Sequence, residues 1–264
     1  MSRLRQLWLF GWNQALCCIF PVVIFLTLGI TKFISLPYIY RYDLILLVCI
    51  LAQIAMVKFK FETMDELKVI MLFHLIGLAL ELYKVHMGSW AYPGEAWSKI
   101  GGVPLYSGFM YASVASYICQ AWRRFDLYLV AWPRQVIAVT IGVGIYLNFF
   151  THHFMMDLRW IWIVLLFIAF WRTKVYYTVG QVRYQMPLIL SFFLIAFFIW
   201  IAENISTLLG AWKYPDQMAR WTWVHLGKLS SWFLLIIISI IIVAYLKQIK
   251  MQTRGMKREE VPRP

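Results

Sequence analysis

Glu81 and Glu203 are the residues of this chain best placed to do chemistry, because each stands at the head of the same motif. Residues 81–93 read ELYKVHMGSWAYP and residues 203–215 read ENISTLLGAWKYP. Glu81/Glu203, Gly88/Gly210, Trp90/Trp212, Tyr92/Tyr214 and Pro93/Pro215 all recur 122 residues apart. Self-similarity at a fixed offset reads first as an internal duplication. An acid that ends an apolar run is costly to keep in a membrane, which makes it a functional candidate by default. A desolvated, protonated carboxyl could give its proton to an alkene or a leaving group. The ring faces of Trp90, Tyr92, Trp212 and Tyr214 could then steady a developing cation. The same two acids could instead carry protons coupled to a solute. The structural alternative pairs Glu81 with Lys84 one turn on as a salt bridge.

Other polar residues cluster around these two. His74, Gly77, Glu81, Lys84 and Gly88 follow one another at steps of three or four, one stripe of a helix. Glu203 lacks a lysine at that spacing, and Lys228 is its candidate partner; a Schiff-base role for Lys228 is the lesser reading. Asn204 sits beside Glu203, and Tyr111 is expected to face the bundle interior with Ser116 and Tyr117. A second cluster, Asn148, His152, His153, Asp157 and Arg159, carries two i,i+4 pairs and reads as a capped turn or a polar relay. Adjacent histidines point about 100° apart on a helix, so no metal site is expected there. The four cysteines, Cys17, Cys18, Cys49 and Cys119, form no C-x-x-C pair and read as buried thiols.

The elements that hold these residues follow from the composition. With 62% hydrophobic and 14% charged residues, the chain reads as an integral membrane protein. Runs of roughly 20 apolar residues predict about eight transmembrane helices, at 14–35, 42–58, 67–86, 104–122, 135–153, 158–177, 187–208 and 226–246. The expected fold is thus an all-α polytopic bundle, one membrane domain over 1–246. It divides into pseudo-symmetric four-helix repeats (14–122 and 135–246), followed by a basic tail, 247–264, expected to be disordered. The net charge of +13 is explained by topology rather than nucleic acid. Arg3, Arg5, Lys58, Lys60, Lys68, Arg123, Arg124, Arg134, Arg172, Lys174 and Arg183 all fall on one predicted side, together with the basic tail. That side is cytoplasmic by the positive-inside rule, so both termini lie inside and the two G-[SA]-W-x-Y-P turns lie outside.

The segments LELYKVHMGSWAYP, GGVPLYSGFMYASVASYI, NFFTHHFMMDLRW and IWIAENISTLLGAWKYP resemble the YoaT-like bacterial membrane proteins, domain of unknown function 817. The likeness runs from about Trp12 to Lys247. It implies a bacterial plasma-membrane protein and marks Glu81, Gly88, Trp90, Tyr92, Pro93, His152, His153, Asp157, Glu203, Asn204, Trp212 and Pro215 as motif positions, with no role attached to any.

Three functions from different classes stay open at this point. The first is an intramembrane enzyme or binding site for a lipid or isoprenoid-like molecule. The second is a proton-coupled transporter or channel with two pseudo-symmetric halves. The third is a non-catalytic lipid-binding or assembly protein. The expected partners are membrane lipids and a hydrophobic small molecule, not nucleic acid. No Walker loop or G-x-G-x-x-G motif is present, and no cofactor is specified.

Overall fold

The computed structural model describes residues 3–34 and 36–259, with residues 247–259 given by backbone alone. Nine helices are found among them: α1 (Arg3–Cys17), α2 (Ile19–Phe33), α3 (Arg41–Lys58), α4 (Met64–His86), α5 (Tyr106–Arg124), α6 (Gln135–Thr151), α7 (Arg159–Phe170), α8 (Leu188–Leu208) and α9 (Gly227–Glu259). A short hairpin, β1 (Lys99–Ile100) with β2 (Val103–Pro104), precedes α5. A second sheet runs β3 (Tyr128–Val130), β4 (Lys174–Val179), β5 (Val182–Pro187), antiparallel throughout.

Sequence chemistry sets the ends of the helices that matter most. Thr63 accepts from the Glu66 N–H while Glu66 accepts from the Thr63 N–H, a reciprocal cap that starts α4. Gly88 ends that helix at φ +70°, a left-handed conformation glycine adopts without strain, and the Ser89 N–H turns back to the Lys84 carbonyl at 2.9 Å. Helix α8 ends in the same way: Gly210 has φ +75°, and the Ala211 N–H reaches the Ser206 carbonyl at 2.9 Å.

Three sequence expectations change. The helix expected over 14–35 is two helices, α1 and α2, bent by 65°. Pro21 in the first turn of α2 has no N–H to bond the carbonyl of Cys17, so the ladder breaks there. The helix expected over 158–177 stops at Phe170, and 174–179 is strand β4. The run Val175-Tyr176-Tyr177-Thr178-Val179 is β-branched and aromatic, and Gly180 at φ +62° turns the hairpin. The fold is therefore mostly helical with a small sheet rather than all-α. Helix α9 also runs through Glu259 into the segment expected to be an unstructured tail; residues 260–264 lie outside the described residues.

Helices stand at the other expected places within a few residues. By length and composition, α4, α8 and the Gly227–Leu246 part of α9 can each cross a bilayer, and the bent pair α1–α2 adds a fourth if it counts as one span. Helices α6 and α7 are apolar but short. Large apolar side chains face outwards on several helices, Leu26, Ile54, Leu75 and Phe198 among them, as lipid contact requires.

The interior is built in two main clusters. One gathers α2 to α5 around Tyr42, Phe73, Tyr92, Tyr106 and Phe109. The other gathers α6 to α9 around Ile141, Phe170, Phe192, Phe233 and Ile237, and takes Ile118 and Cys119 from α5. Arg41 ties the ends of two helices together. Its guanidinium donates to the carbonyls of Leu28, Leu209 and Gly210 at 3.0, 2.7 and 3.0 Å, and to the Thr31 hydroxyl at 3.2 Å. One cation thereby satisfies the open Leu209 and Gly210 carbonyls just past α8 and joins them to the last turns of α2, where the helix dipole favours positive charge.

A buried acid absent from the sequence reading lies in the connection between α3 and α4. Glu62 is 2% exposed and accepts from Gln53 on α3 and Ser116 on α5. Burial pushes its carboxyl pKa up, the Ser116 and Gln53 hydrogen bonds oppose this, nearby Glu66 adds to the rise, and Arg123 opposes it. Above the unfolded value near 4.5, the native state then holds the extra proton, so stability falls as pH rises through the window up to the folded pKa. Glu62→Gln removes this titration while His152, His153 and Asp157 titrate in both proteins. The difference in Tm, variant minus native, is expected to grow between pH 4.5 and 7, measured by intrinsic fluorescence in detergent. A difference that stays flat with pH would show that Glu62 ionises freely.

Candidate functional site

The two repeated glutamates sit at corresponding ends of α4 and α8, each 4% exposed. Glu81 is held by neutral donors alone. Its Oε2 accepts from the Trp90 indole N–H at 2.7 Å and from the Tyr92 hydroxyl at 2.7 Å, and its Oε1 accepts from the Tyr111 hydroxyl at 2.8 Å. Glu203 accepts from the Tyr214 hydroxyl on Oε1 and from the Trp232 indole N–H at 2.8 Å on Oε2. The alternative Glu81–Lys84 salt bridge is not formed, and neither glutamate has an ion pair within 4 Å among the described residues. Every contact uses the carboxylates as acceptors, the arrangement that suits an ionised acid.

Local structure explains why the donors reach. The Gly88 and Gly210 turns fold each motif back over the last turns of its own helix. Ala91 and Lys213, themselves 122 residues apart, exchange both backbone hydrogen bonds at 2.9 Å, so the two turns lie antiparallel against one another. Tyr111 reaches Glu81 because α5 crosses α4 at a glycine: a β-carbon on Gly77 would lie 2.4 Å from the Tyr111 ring. Burial, and then the adjacent carboxylate, push the hydroxyls of Tyr92 and Tyr214 well above the ordinary tyrosine range.

Lys228 is not ion-paired to Glu203 as expected. Its ammonium lies over the faces of Trp90, 4.8 Å from the ring centroid, and of Tyr214, at 4.5 Å. Those rings meet edge to face at 5.9 Å. Each ring's polar hydrogen points to a glutamate while its face receives the ammonium, so Glu81, Trp90, Lys228, Tyr214 and Glu203 form one linked group. A carboxylate on the ring edge makes the face a better partner for a cation. Two of the four ring faces proposed for a developing carbocation, those of Trp90 and Tyr214, are thus already covered.

The remaining candidates divide into two sets. Lys84 turns towards the second cluster, with its Nζ 3.1 Å from the His153 ring and 3.5 Å from His152. Burial, and then the Lys84 charge, hold both histidine pKa values below their ordinary range. Asn148 donates to Asp157 at 3.0 Å and accepts the Leu158 N–H at 3.0 Å, which fixes the turn into α7. Arg159 closes it, with Nε 2.7 Å from Asp157. Burial works against the Asp157 carboxylate, but the Asn148 and Arg159 hydrogen bonds outweigh it and hold the pKa low. Asn204 faces structure rather than the cavity: it donates to the Trp200 carbonyl at 2.8 Å and accepts from the Val224 N–H at 2.9 Å. Tyr92 is enclosed by Tyr42 and Tyr106. Trp212 is buried and turned to the Tyr214 hydroxyl, so Trp232 supplies the indole N–H that Trp90 supplies in the other copy. Trp232 was legible: aligning Gly-Val-Pro-Leu (102–105) with Trp-Val-His-Leu (223–226) places it on Tyr111.

One cavity of about 1050 Å³ reaches both glutamates. Its polar end holds Glu81, Glu203, Lys84, Lys228, His152 and Arg159. It then continues through an apolar stretch to α1 and the β3–β5 sheet, lined there by Phe10, Leu127, Val175 and Met186. Val22 on α2 and Phe198 and Ile205 on α8 line it and are themselves 46%, 66% and 43% exposed. The cavity therefore opens sideways along the α2–α8 seam, whose ends Arg41 holds together. Among the described residues, no group of three or more His, Cys, Asp or Glu is placed to hold a metal.

No solved structure matches this chain. The chain is 62% identical over 253 residues to "Uncharacterized protein YoaT" of Bacillus subtilis (strain 168), covering 96% of each. The family model described as "Protein of unknown function (DUF817)" matches residues 6–240. Motifs and comparisons thus meet on one conclusion: the chain belongs to the DUF817 family.

Proposed function

We propose that this protein is a plasma-membrane bundle of two duplicated halves, with cytoplasmic termini, whose central cavity binds one amphipathic lipid or isoprenoid-like molecule. The observation that carries the reading is the cavity itself, polar at the paired glutamates, apolar over its remaining length, and open sideways between α2 and α8. Its volume of about 1050 Å³ suits a long-chain molecule. The reciprocal bonds between Ala91 and Lys213 support the two-half reading, since they join equivalent residues and place equivalent acids on one cavity. The eight helices expected from hydropathy would then all lie in or at the membrane.

Binding is favoured over acid catalysis for a specific reason. Both oxygens of each glutamate are occupied by structural donors, and Lys228 covers the faces of Trp90 and Tyr214. A general acid needs a proton aimed at substrate, and neither carboxyl offers one in this arrangement.

Mass spectrometry of lipid extracted from the purified protein tests this directly. A long-chain lipid is expected at constant stoichiometry in the native protein. It should fall several-fold in Ala202→Trp, which fills the cavity wall on α8. Equal lipid in the two proteins would sink the reading.

A further inference from the structure

The polar end of the cavity gathers three cationic side chains, of which only Arg159 meets a carboxylate among the described residues. The Lys228 ammonium makes no hydrogen bond among the described residues; only ring faces meet it. Lys84 is 4% exposed, and its polar neighbours are the two imidazoles, with no carboxylate within 4 Å among the described residues. Arg159 gives its Nε to Asp157, while Nη1 makes only long contacts, 3.4 Å to the Gly227 carbonyl and 3.3 Å to Ser230. These three basic groups lie close enough to repel one another.

The acids nearby do not meet that demand. Both oxygens of Glu81 and of Glu203 point at rings. Asp157 is filled by Asn148 and by the backbone and side chain of Arg159. These acids leave both lysine ammonium groups without a carboxylate within 4 Å among the described residues. Like charges gathered in a low dielectric call for an anion. The cations also depart from the duplicated pattern. Lys84 corresponds to Ser206 and Lys228 to Ser107, so each half contributes one lysine where the other has a serine. A symmetric frame with unlike cations suits one asymmetric anionic group.

We propose that this end binds a phosphate group carried on a long chain, with Lys84, Lys228 and Arg159 donating to its oxygens and the chain lying in the apolar remainder. A phosphate offers several acceptor oxygens in different directions, which matches cations arriving from α4, α7 and α9. The inference rests on the lipid-binding reading and adds the chemistry of the head group.

The test titrates purified full-length protein in neutral detergent with tetradecyl phosphate, tetradecanol and inorganic phosphate, read by tryptophan fluorescence. Tetradecyl phosphate is expected to bind roughly tenfold more tightly than tetradecanol. Lys228→Gln should erase most of that difference without weakening tetradecanol. Lys84→Gln should do the same, and it serves as the second variant if the first does not fold. Equal affinity for the two long-chain probes would overturn the phosphate assignment and leave the lipid cavity standing. No binding of either would overturn both. Inorganic phosphate binding as tightly as tetradecyl phosphate would support the oxyanion chemistry and overturn its lipid source.

Discussion

Glu81→Ala is expected to lower the Tm of the purified protein by roughly 10 °C. The substitution leaves three donors, on Trp90, Tyr92 and Tyr111, without their acceptor in the interior. An orphaned buried donor costs about 1–3 kcal/mol. Water entering from the cavity recovers part of this for Trp90 and Tyr111, which line it, and little for the enclosed Tyr92. A net loss of about 4 kcal/mol corresponds to roughly 10 °C at 2–4 °C per kcal/mol for a chain of this size. Glu81→Gln keeps a carbonyl for Trp90 and Tyr92 and turns an amide towards Tyr111, whose hydroxyl can accept, so its loss should be about a third as large. Glu203→Ala strands two donors rather than three and should fall between them. Thermal unfolding followed by tryptophan emission checks the order. A Glu81→Ala protein melting within a degree or two of the native one would mean that water satisfies the rings and that the acid has no structural role.

That expectation also shows what the sequence carried. The repeated Glu, Gly, Trp, Tyr and Pro are read directly from spacing, and most of them prove to have a local physical task. Glycine turns the chain back, and Trp90, Tyr92 and Tyr214 deliver donors to the acid that precedes them, with Trp232 in place of Trp212 in the second motif. The sequence could not show that Lys84, one turn from Glu81, leans away towards His152 and His153. At a spacing of three or four residues a lysine can reach either side of its helix, and packing decides which. Lys228 is a similar case, because an ammonium over two rings competes on equal terms with an ion pair once water is excluded. Its partners come from α4's turn and α8's turn, far apart in sequence.

The misread elements share a cause. Hydropathy sees Val175 and Tyr177 as a continuation of the apolar helix before them, because a window of apolar residues has no strand or helix label. The β-branched and aromatic content and Gly180 were the signals for a hairpin. Likewise Pro21 marked the break between α1 and α2, yet the apolar run continues across it. Glu62 was passed over because it lies in a basic connection, where an acid looks solvated. Only the fold brings Gln53 and Ser116 around it.

Gly77→Val is expected to have the other large effect, and it tests whether Tyr111 is delivered by helix packing. A β-carbon alone on Gly77 would lie 2.4–2.6 Å from Tyr111 side-chain atoms, inside van der Waals contact. The neighbouring crossing is equally close: a β-carbon on Gly108 would lie 2.7 Å from the His74 backbone carbonyl, which cannot rotate away. Relief at Gly77 therefore needs α4 and α5 to part or Tyr111 to swing aside. Overpacking of this kind costs about 1–3 kcal/mol, and a displaced Tyr111 adds the loss of its hydrogen bond to Glu81, about 1 kcal/mol. Gly77→Ala should already lower the Tm by several degrees, with Gly77→Val lower still. Tyr111→Phe separates the two contributions, since it removes the hydrogen bond without adding volume. If packing delivers Tyr111, adding Tyr111→Phe to Gly77→Ala should cost less than Tyr111→Phe alone, because the hydrogen bond is already gone. Fully additive losses would show that Tyr111 keeps its bond to Glu81 when the helices are forced apart, and the close crossing would then serve packing alone.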